Sequence, residues 1–325
     1  MTTGTSEIGT MLADTAERLF TTHAEAIEHA LRGGTWPDAA WAAIEESGLP
    51  LALVPEEHGG FGLPPSEALA LIRQIGRHAL ALPLAETIMA NAALAAAGLP
   101  LAQGAAGLAE RTDARVPWGR FAQTLVVASD GGLQRHVAVP VAAKSTNVAG
   151  HPRDQLSIPA GDNGATLKTS LLELGALARA LQMAGALERV LELTIEHVTS
   201  RVQFGRPLAK FQAIQQELAK LAGEVAAASA AADHAADAYA AGGDLTFAVA
   251  VARTRIGEAA SKATAIAHQL HGAIGFTREH ALHRFTTALW AWRDEYGTQR
   301  HWTLALGKRA LSAGRDGYWP MVVAA

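Results

Sequence analysis

The tract Arg201-Val202-Gln203-Phe204-Gly205-Arg206-Pro207-Leu208 gathers two cations, a glutamine, an aromatic ring and a glycine where two long helices meet. Such residues suit a dinucleotide: an arginine fork grips a pyrophosphate, a glutamine reaches ribose or base, and a phenyl ring covers a face of the ring system. A second tract, Gln269-Leu270-His271-Gly272-Ala273-Ile274-Gly275-Phe276-Thr277-Arg278-Glu279-His280, sets two glycines three apart at a helix end. Backbone without a Cβ admits another molecule closely there, and Thr277 is expected to N-cap a following helix whose N-terminus favours anions. His271, His280 and His283 could suggest a metal, but no carboxylate cage accompanies them and no metal is expected. Pro55-Glu56-Glu57-His58-Gly59-Gly60-Phe61-Gly62 is a glycine-rich loop, lying either beside a ligand or simply in a tight turn.

The elements that must position these tracts are mostly helical. Apolar spacing predicts a helix over 8–32 that Gly33-Gly34 stops, and Thr35-Trp36-Pro37 opens another through Ile44, closed by Gly48. Residues 49–54 read as a short extended piece, and Pro64-Pro65-Ser66 starts a helix to about Leu80. The uncharged stretch 87–109 is interrupted by Asn91, Gly98, Pro100, Gln103 and Gly104, so it reads as buried or interfacial helix and no membrane insertion is expected. Texture turns to β at 124–128 and 135–140 around Asp130-Gly131-Gly132, a hairpin signal, and 144–164 is turn-rich. Helical segments over 171–200, 208–241, 245–270 and 278–312 give the four members of a bundle. Leu208, Phe211, Ile214, Leu218, Leu221 and Val225 form one apolar stripe expected to be core.

Composition agrees and narrows the chemistry. The chain has 325 residues, 49% hydrophobic but only 6% aromatic, and about a fifth of it is alanine, the best helix former. A formal charge of −4 offers no field for gathering nucleic acid or an anionic membrane. With no cysteine, disulfides, thiolate metal sites and cysteine nucleophiles are excluded, so redox work requires a bound organic cofactor. The first residues lack the basic and apolar regions of a secretory signal, which makes the cytoplasm the expected location.

Together and in this order, the tracts resemble the acyl-CoA dehydrogenase family, whose C-terminal four-helix bundle carries Arg-x-Gln-Phe-Gly followed by Gln-x-x-Gly-Gly-x-Gly. The tract Val54 to Gly62 is similar to that family's signature near the end of its first helical domain, and the resemblance covers about residues 8–100 and 171–312. It implies a mainly α fold with a reduced β insert: an N-terminal helical domain over 1–110, a truncated β middle domain over 111–170, and a C-terminal four-helix bundle over 171–325. It also implies FAD. Arg201, Gln203 and Phe204 would contact its ADP part, with Leu208, Gln212 and Gln215 continuing along the helix. Gln269, Gly272, Ala273 and Gly275 would cradle the pyrophosphate, usually a neighbouring subunit's, with Ala273 standing where a second glycine is usual; Thr298 joins the cofactor set. The implied reaction is α,β-desaturation of an acyl-CoA, in which a carboxylate takes the α proton and the β hydrogen leaves as hydride to the flavin. An electron-transfer acceptor and an oligomeric partner are implied with it.

Two departures divide the readings. In the family the base lies in a Tyr-Glu-Gly-Thr tract; the matching segment is Arg293-Asp294-Glu295-Tyr296-Gly297-Thr298, which puts Tyr296 at the base position and Glu295 one place early. One residue turns a helical side chain by roughly 100°, and tyrosine with its ordinary pKa of about 10 is a poor base at neutral pH. The family's alternative base position falls on Gly175, Ala176 stands where arginine is usual, and Glu173 is the nearest acid. The middle span also lacks the Thr-Glu-Pro and Trp-Ile-Thr tracts that hold the flavin ring. The chain is therefore read as the base-deficient partner in a heteromer of the kind that handles bulky, steroid-type CoA thioesters. The alternatives are a self-sufficient homomer using Glu295 or Glu173, which needs the helix to unwind near Gly297, and a flavin-free scaffold. Asp294 and Glu295 read equally well as solvated charges at a helix end.

Overall fold

The computed structural model describes residues 6–110, 115–129, 132–159, 165–166 and 169–324. It divides into two compact units, one of residues 1–75 and 80–178, the other of 76–79 and 179–325. No described helix is long and apolar enough to cross a membrane.

In the first unit, α1 (Glu7–Arg32) begins where the Ser6 side chain accepts the Gly9 N–H, and it buries Leu12, Ala16, Phe20 and Ile27 on one face. α2 (Asp38–Glu46) buries Ala40, Trp41 and Ile44. The expected extended piece after it is absent: Leu49–Leu51 is a 3-10 turn, because Gly48 turns the chain at φ 76° and Pro50 presets a helical φ. In the glycine-rich loop, a Cβ on Gly60 would lie 1.8 Å from the Val54 carbonyl oxygen, so close backbone packing accounts for that glycine without a ligand. α3 (Pro65–Arg77) stops short of Leu80.

α4 (Leu84–Ala96) is buried over nearly its whole length, as its lack of charge implies, but it ends well before residue 109. Asn91 explains the ending: its side chain donates to the Pro50 carbonyl at 3.1 Å and accepts the Ala102 N–H at 2.8 Å, tying down the non-helical return. Two small sheets follow. β1 (Ala106–Glu110) runs parallel to β3 (Thr124–Ser129), which pairs antiparallel with β4 (Gly132–Val137). β2 (Arg115–Pro117) and β5 (Val141–Ala143) flank β6 (Arg153–Leu156) in the second sheet. The hairpin tip Asp130-Gly131 lies outside the described residues. Ala109, Val116, Leu125, Val127 and Leu156 form the small core, and buried Asp154 is tied by Arg120 at 2.6 Å. The chain is mainly α with a reduced β insert, as its composition and resemblance imply.

The second unit takes up α5 (Leu171–Ser200) from Arg179 onward, then a two-strand hairpin of β7 (Val202–Gln203) and β8 (Arg206–Pro207). α6 (Gln212–Ala241) and α7 (Leu245–His271) are joined at Gly242, φ 65°, and Asp244 caps α7 by accepting the Phe247 N–H. Only Leu221 and Val225 of the apolar stripe are fully buried; Leu208, Phe211, Ile214 and Leu218, nearer the hairpin, are half-buried. The fourth expected helix is two: α8 (Leu282–Trp292) and α9 (Gln299–Ala324), the latter broken at Gly314. Thr277 does not N-cap a helix. Gly272–Phe276 is a 3-10 turn that the Thr277 hydroxyl closes by donating to the Ile274 carbonyl, and α8 starts only at Leu282.

Candidate functional site

The second unit carries two chemically rich places. At the first, the helix end that leads into the 201–208 tract packs against the 269–280 tract. His197, in the last turn of α5, stacks on His271, at the end of α7, with ring centroids 4.4 Å apart. The Leu208 N–H donates to the Arg201 carbonyl at 2.9 Å and closes the hairpin immediately beyond. Phe204 and Gly205 form its tip with φ of 52° and 78°, a left-handed pair that suits a hairpin turn but is unfavourable for phenylalanine. That Phe204 ring is 90% exposed. Arg201, Gln203, Arg206 and Gln212 are exposed as well, with the Arg206 guanidinium 4.1 Å from the centre of the Phe211 ring. Gln215, also exposed, donates to the Ala209 carbonyl at 2.9 Å.

At the second tract opens a cleft of about 630 Å³, lined by Thr264, His268, Gln269, Gly272, Ala273, Phe276 and Trp290 among others. His268 stacks on Phe276 at 4.3 Å and on Trp290 at 5.9 Å, and burial holds its pKa below the usual imidazole range. Its Nε2 pairs with the Thr286 hydroxyl at 3.2 Å, while its buried Nδ1 has no hydrogen-bond partner. Gly272 is left-handed at φ 64° with open space where a Cβ would stand; at Gly275 a Cβ would come within 2.8 Å of the His271 Cβ.

The second place is the break between α8 and α9. Tyr296 and Gly297 take φ of 51° and 84° there, so the chain does unwind near Gly297. Glu295, only 1% exposed, accepts hydrogen bonds on Oε2 from Arg179 Nε at 2.8 Å and Nη2 at 2.7 Å. Arg179, equally buried, also donates to the Gln182 amide oxygen and lies over the rings of Trp292 and Tyr296 at 5.9 and 5.4 Å. Arg253, from α7, fans its Nη2 over the carbonyl oxygens of Trp292, Arg293, Glu295 and Gly297 at 2.9 to 3.1 Å. Burial first, and the Arg179 charge second, push the Arg253 pKa down to about 9, which leaves it cationic at neutral pH. Thr298 caps α9 by accepting the His301 N–H at 3.2 Å. Glu295 is therefore no solvated helix-end charge.

Arg179, Gln182 and Arg253 belong to none of the sequence tracts above. The signal was present: each arginine stands alone in an alanine- and leucine-rich helix face, where a buried cation must find partners. On α5, Gly175 and Ala176 are buried and Glu173 is half-buried. Trp292 is buried, and Trp290 donates to the Thr264 hydroxyl at 3.3 Å at the cleft.

Sequence profiles of two domains match this chain: acyl-CoA dehydrogenase, N-terminal domain, over residues 6–104, and acyl-CoA dehydrogenase, C-terminal domain, over 162–300. The chain belongs to the acyl-CoA dehydrogenase family. Acyl-CoA dehydrogenase IpdE2 of Mycobacterium tuberculosis is 33% identical over 292 residues, spanning 85% of this chain and 88% of its own. The Mycolicibacterium smegmatis protein of that name is 30% identical over 285 residues, with 85% and 90% covered. Among solved structures, the Tcur3481-Tcur3483 steroid ACAD superposes with a TM-score of 0.79 at 24% identity, covering 95% of this chain and 99% of that one. The ChsE4-ChsE5 complex of Mycobacterium tuberculosis gives 0.73 at 20%, with 95% and 98% covered. These structural likenesses show the acyl-CoA dehydrogenase fold. The family is one of oxidoreductases acting on acyl-CoA thioesters, and the two profiles leave uncovered residues 105–161, the stretch that holds the small sheets of the first unit.

Proposed function

We propose that this chain is the base-deficient subunit of a heteromeric acyl-CoA dehydrogenase that desaturates a bulky, steroid-type acyl-CoA and passes electrons to a separate acceptor protein. One observation carries the reading: the carboxylate nearest the family's base position, Glu295, is locked into a buried ion pair with Arg179. Taking a proton would mean dissolving that pair, and breaking a buried pair typically costs about 3–5 kcal/mol. The steroid ACAD among the structural relatives supports the substrate class, and the two-component Tcur3481-Tcur3483 and ChsE4-ChsE5 assemblies support the heteromer.

The residues at the tract end fit the ADP half of FAD. Arg201 offers an exposed guanidinium for the pyrophosphate, and Phe204 an exposed ring. Gly272 leaves room for close approach, and the orphaned His268 Nδ1 together with Gln269 provides polar atoms in the cleft. FAD, when bound, supplies the hydride acceptor for desaturation. This chain's part is to hold the cofactor's ADP end through Arg201, Gln203, Phe204, Gln269, Gly272, Ala273 and Gly275, with Leu208 and Gln212 extending that surface. Gln215 and Thr298 support it indirectly, since both side chains serve internal hydrogen bonds. The partner subunit provides the carboxylate. We place the assembly in the cytoplasm.

The test is the flavin content of the purified chain, alone and co-purified with its partner subunit. Alone it should retain little FAD, and Arg201→Ala should strip FAD from the assembly; a yellow homomer that reduces an acceptor dye with an acyl-CoA would overturn the heteromer. The homomeric alternative has one observation in its favour, the unwound backbone at Tyr296-Gly297. It predicts that Glu295→Gln abolishes turnover while flavin stays bound.

A further inference from the structure

Three imidazoles from three separate elements converge beside the cleft. His197 comes from the end of α5, His271 from the end of α7, and His280 from the segment leading into α8. One ring nitrogen from each lies within 4.8 Å of the other two. The sequence tract alone offers His271, His280 and His283, where no metal is expected; the fold brings in His197 from a distant helix.

His271 is the anchor. It is 5% exposed, and its Nδ1 lies 2.8 Å from the Ala267 carbonyl oxygen. A carbonyl only accepts, so Nδ1 carries the proton and Nε2 presents a lone pair. That Nε2 is buried and has no hydrogen-bond partner. A histidine whose N–H is fixed on a backbone carbonyl, and whose other nitrogen is buried without a partner in a cluster of three imidazoles, has the arrangement of a metal ligand held by its outer hydrogen bond.

We propose that His197, His271 and His280 form a binding site for a first-row divalent transition metal of the zinc class, which clasps the ends of α5 and α7 to the segment entering α8. Imidazole is the ligand that suits such ions, and three of them leave a coordination position open. Two imidazole nitrogens on one zinc, each bonded at about 2.1 Å, lie roughly 3.4 Å apart. Rotation of His197 and His280, both only half-buried, closes the difference. His280 Nδ1 now accepts the Leu282 N–H at 3.1 Å, and coordination exchanges that bond for one to the metal.

All three rings are ready as neutral ligands. Burial is the main cause holding each below the usual imidazole range, with neighbouring cationic or imidazole groups adding to it, and His271 is pushed down to about 4. The charges that face the cluster are mixed: Arg201 acts on His197 against a cation, and Glu196 acts on His280 in favour of one. The site is independent of the flavin reading, because metal uptake is measured on the chain whether or not it holds cofactor.

The experiment is equilibrium dialysis of the chelator-treated full chain against zinc chloride at pH 7.5, with bound metal quantified, and cobalt(II) absorption as a second readout. One tight zinc per chain is expected, with tetrahedral-type cobalt bands. His197→Ala and His280→Ala should each weaken binding by more than about tenfold, while His283→Ala leaves it unchanged. His271 is buried and its loss could unfold the helix end, so the decisive variants are the two half-buried histidines, with circular dichroism confirming the fold. Absence of a tight site in the parent chain, or a tight site that survives both substitutions, would overturn the proposal.

Discussion

The tract end of the second unit and the break between α8 and α9 use the same chemical parts, arginine, aromatic ring and a carboxamide or carboxylate, in opposite states. Arg201, Gln203 and Phe204 stand exposed at a hairpin tip, whereas Arg179 and Glu295 are each 1% exposed and bonded to one another. A guanidinium whose donors face outward is available to a ligand. Arg179, which donates to a buried carboxylate and an amide, and Arg253, whose Nη2 serves four backbone carbonyls, are part of the scaffold. The contrast separates what this chain can offer a cofactor from what it no longer offers to chemistry.

The sharpest way to break the contrast is at the buried end. Arg179→Leu leaves Glu295 without its charge partner and should cost about 3–5 kcal/mol in urea unfolding. Adding Glu295→Leu should recover most of that loss, because two apolar groups satisfy each other where one buried charge cannot. Arg253→Met, which strips the donor from four carbonyls at the break, should cost about 2–3 kcal/mol. If either buried substitution is neutral, the break is not scaffold.

Acid gives a smaller effect. His197, His268, His271 and His280 have folded pKa values below the ordinary 6.5, with His271 near 4. The unfolded chain then binds more protons between these values, so stability is fully present above about pH 6.5 and declines as pH falls toward 4, by at most about 1.4 kcal/mol per pH unit for each histidine. Thermal melts across that window check the sign, and His271→Gln should flatten the decline. At the exposed end, Arg201→Ala should change stability by less than about 0.5 kcal/mol yet remove flavin from the assembly, the inverse of what the buried arginines do.

How much of this was legible varies with the range of the interactions involved. Helices α1, α5 and α7 follow their apolar periodicity and caps almost to the residue, because those signals are local. Residues 49–54 and 97–105 are ambiguous by composition: apolar runs are shared by strands, helices and turns, and here the positive φ of Gly48 decides the first path and the Asn91 bonds to Pro50 and Ala102 the second. The split of α8 from α9 was half-visible in Gly297, whose missing Cβ lets Trp302 Nε1 approach, a Cβ there coming within 2.6 Å. The partner of Glu295 was not visible, since Arg179 lies 116 residues away, and neither was His197's place beside His271 and His280. Residue type marked the tracts; only the packing of α5 against the end of α7 and the α8–α9 break showed which charges face outward.

The base-deficient role is tested most directly by turnover of this chain purified alone, assayed as dye reduction with a steroid-type acyl-CoA. No reduction above background is expected, and activity should appear on adding a partner subunit that carries its own base. Sustained turnover by the lone chain, abolished by Glu295→Gln, would contradict that role and make Glu295 the base after all.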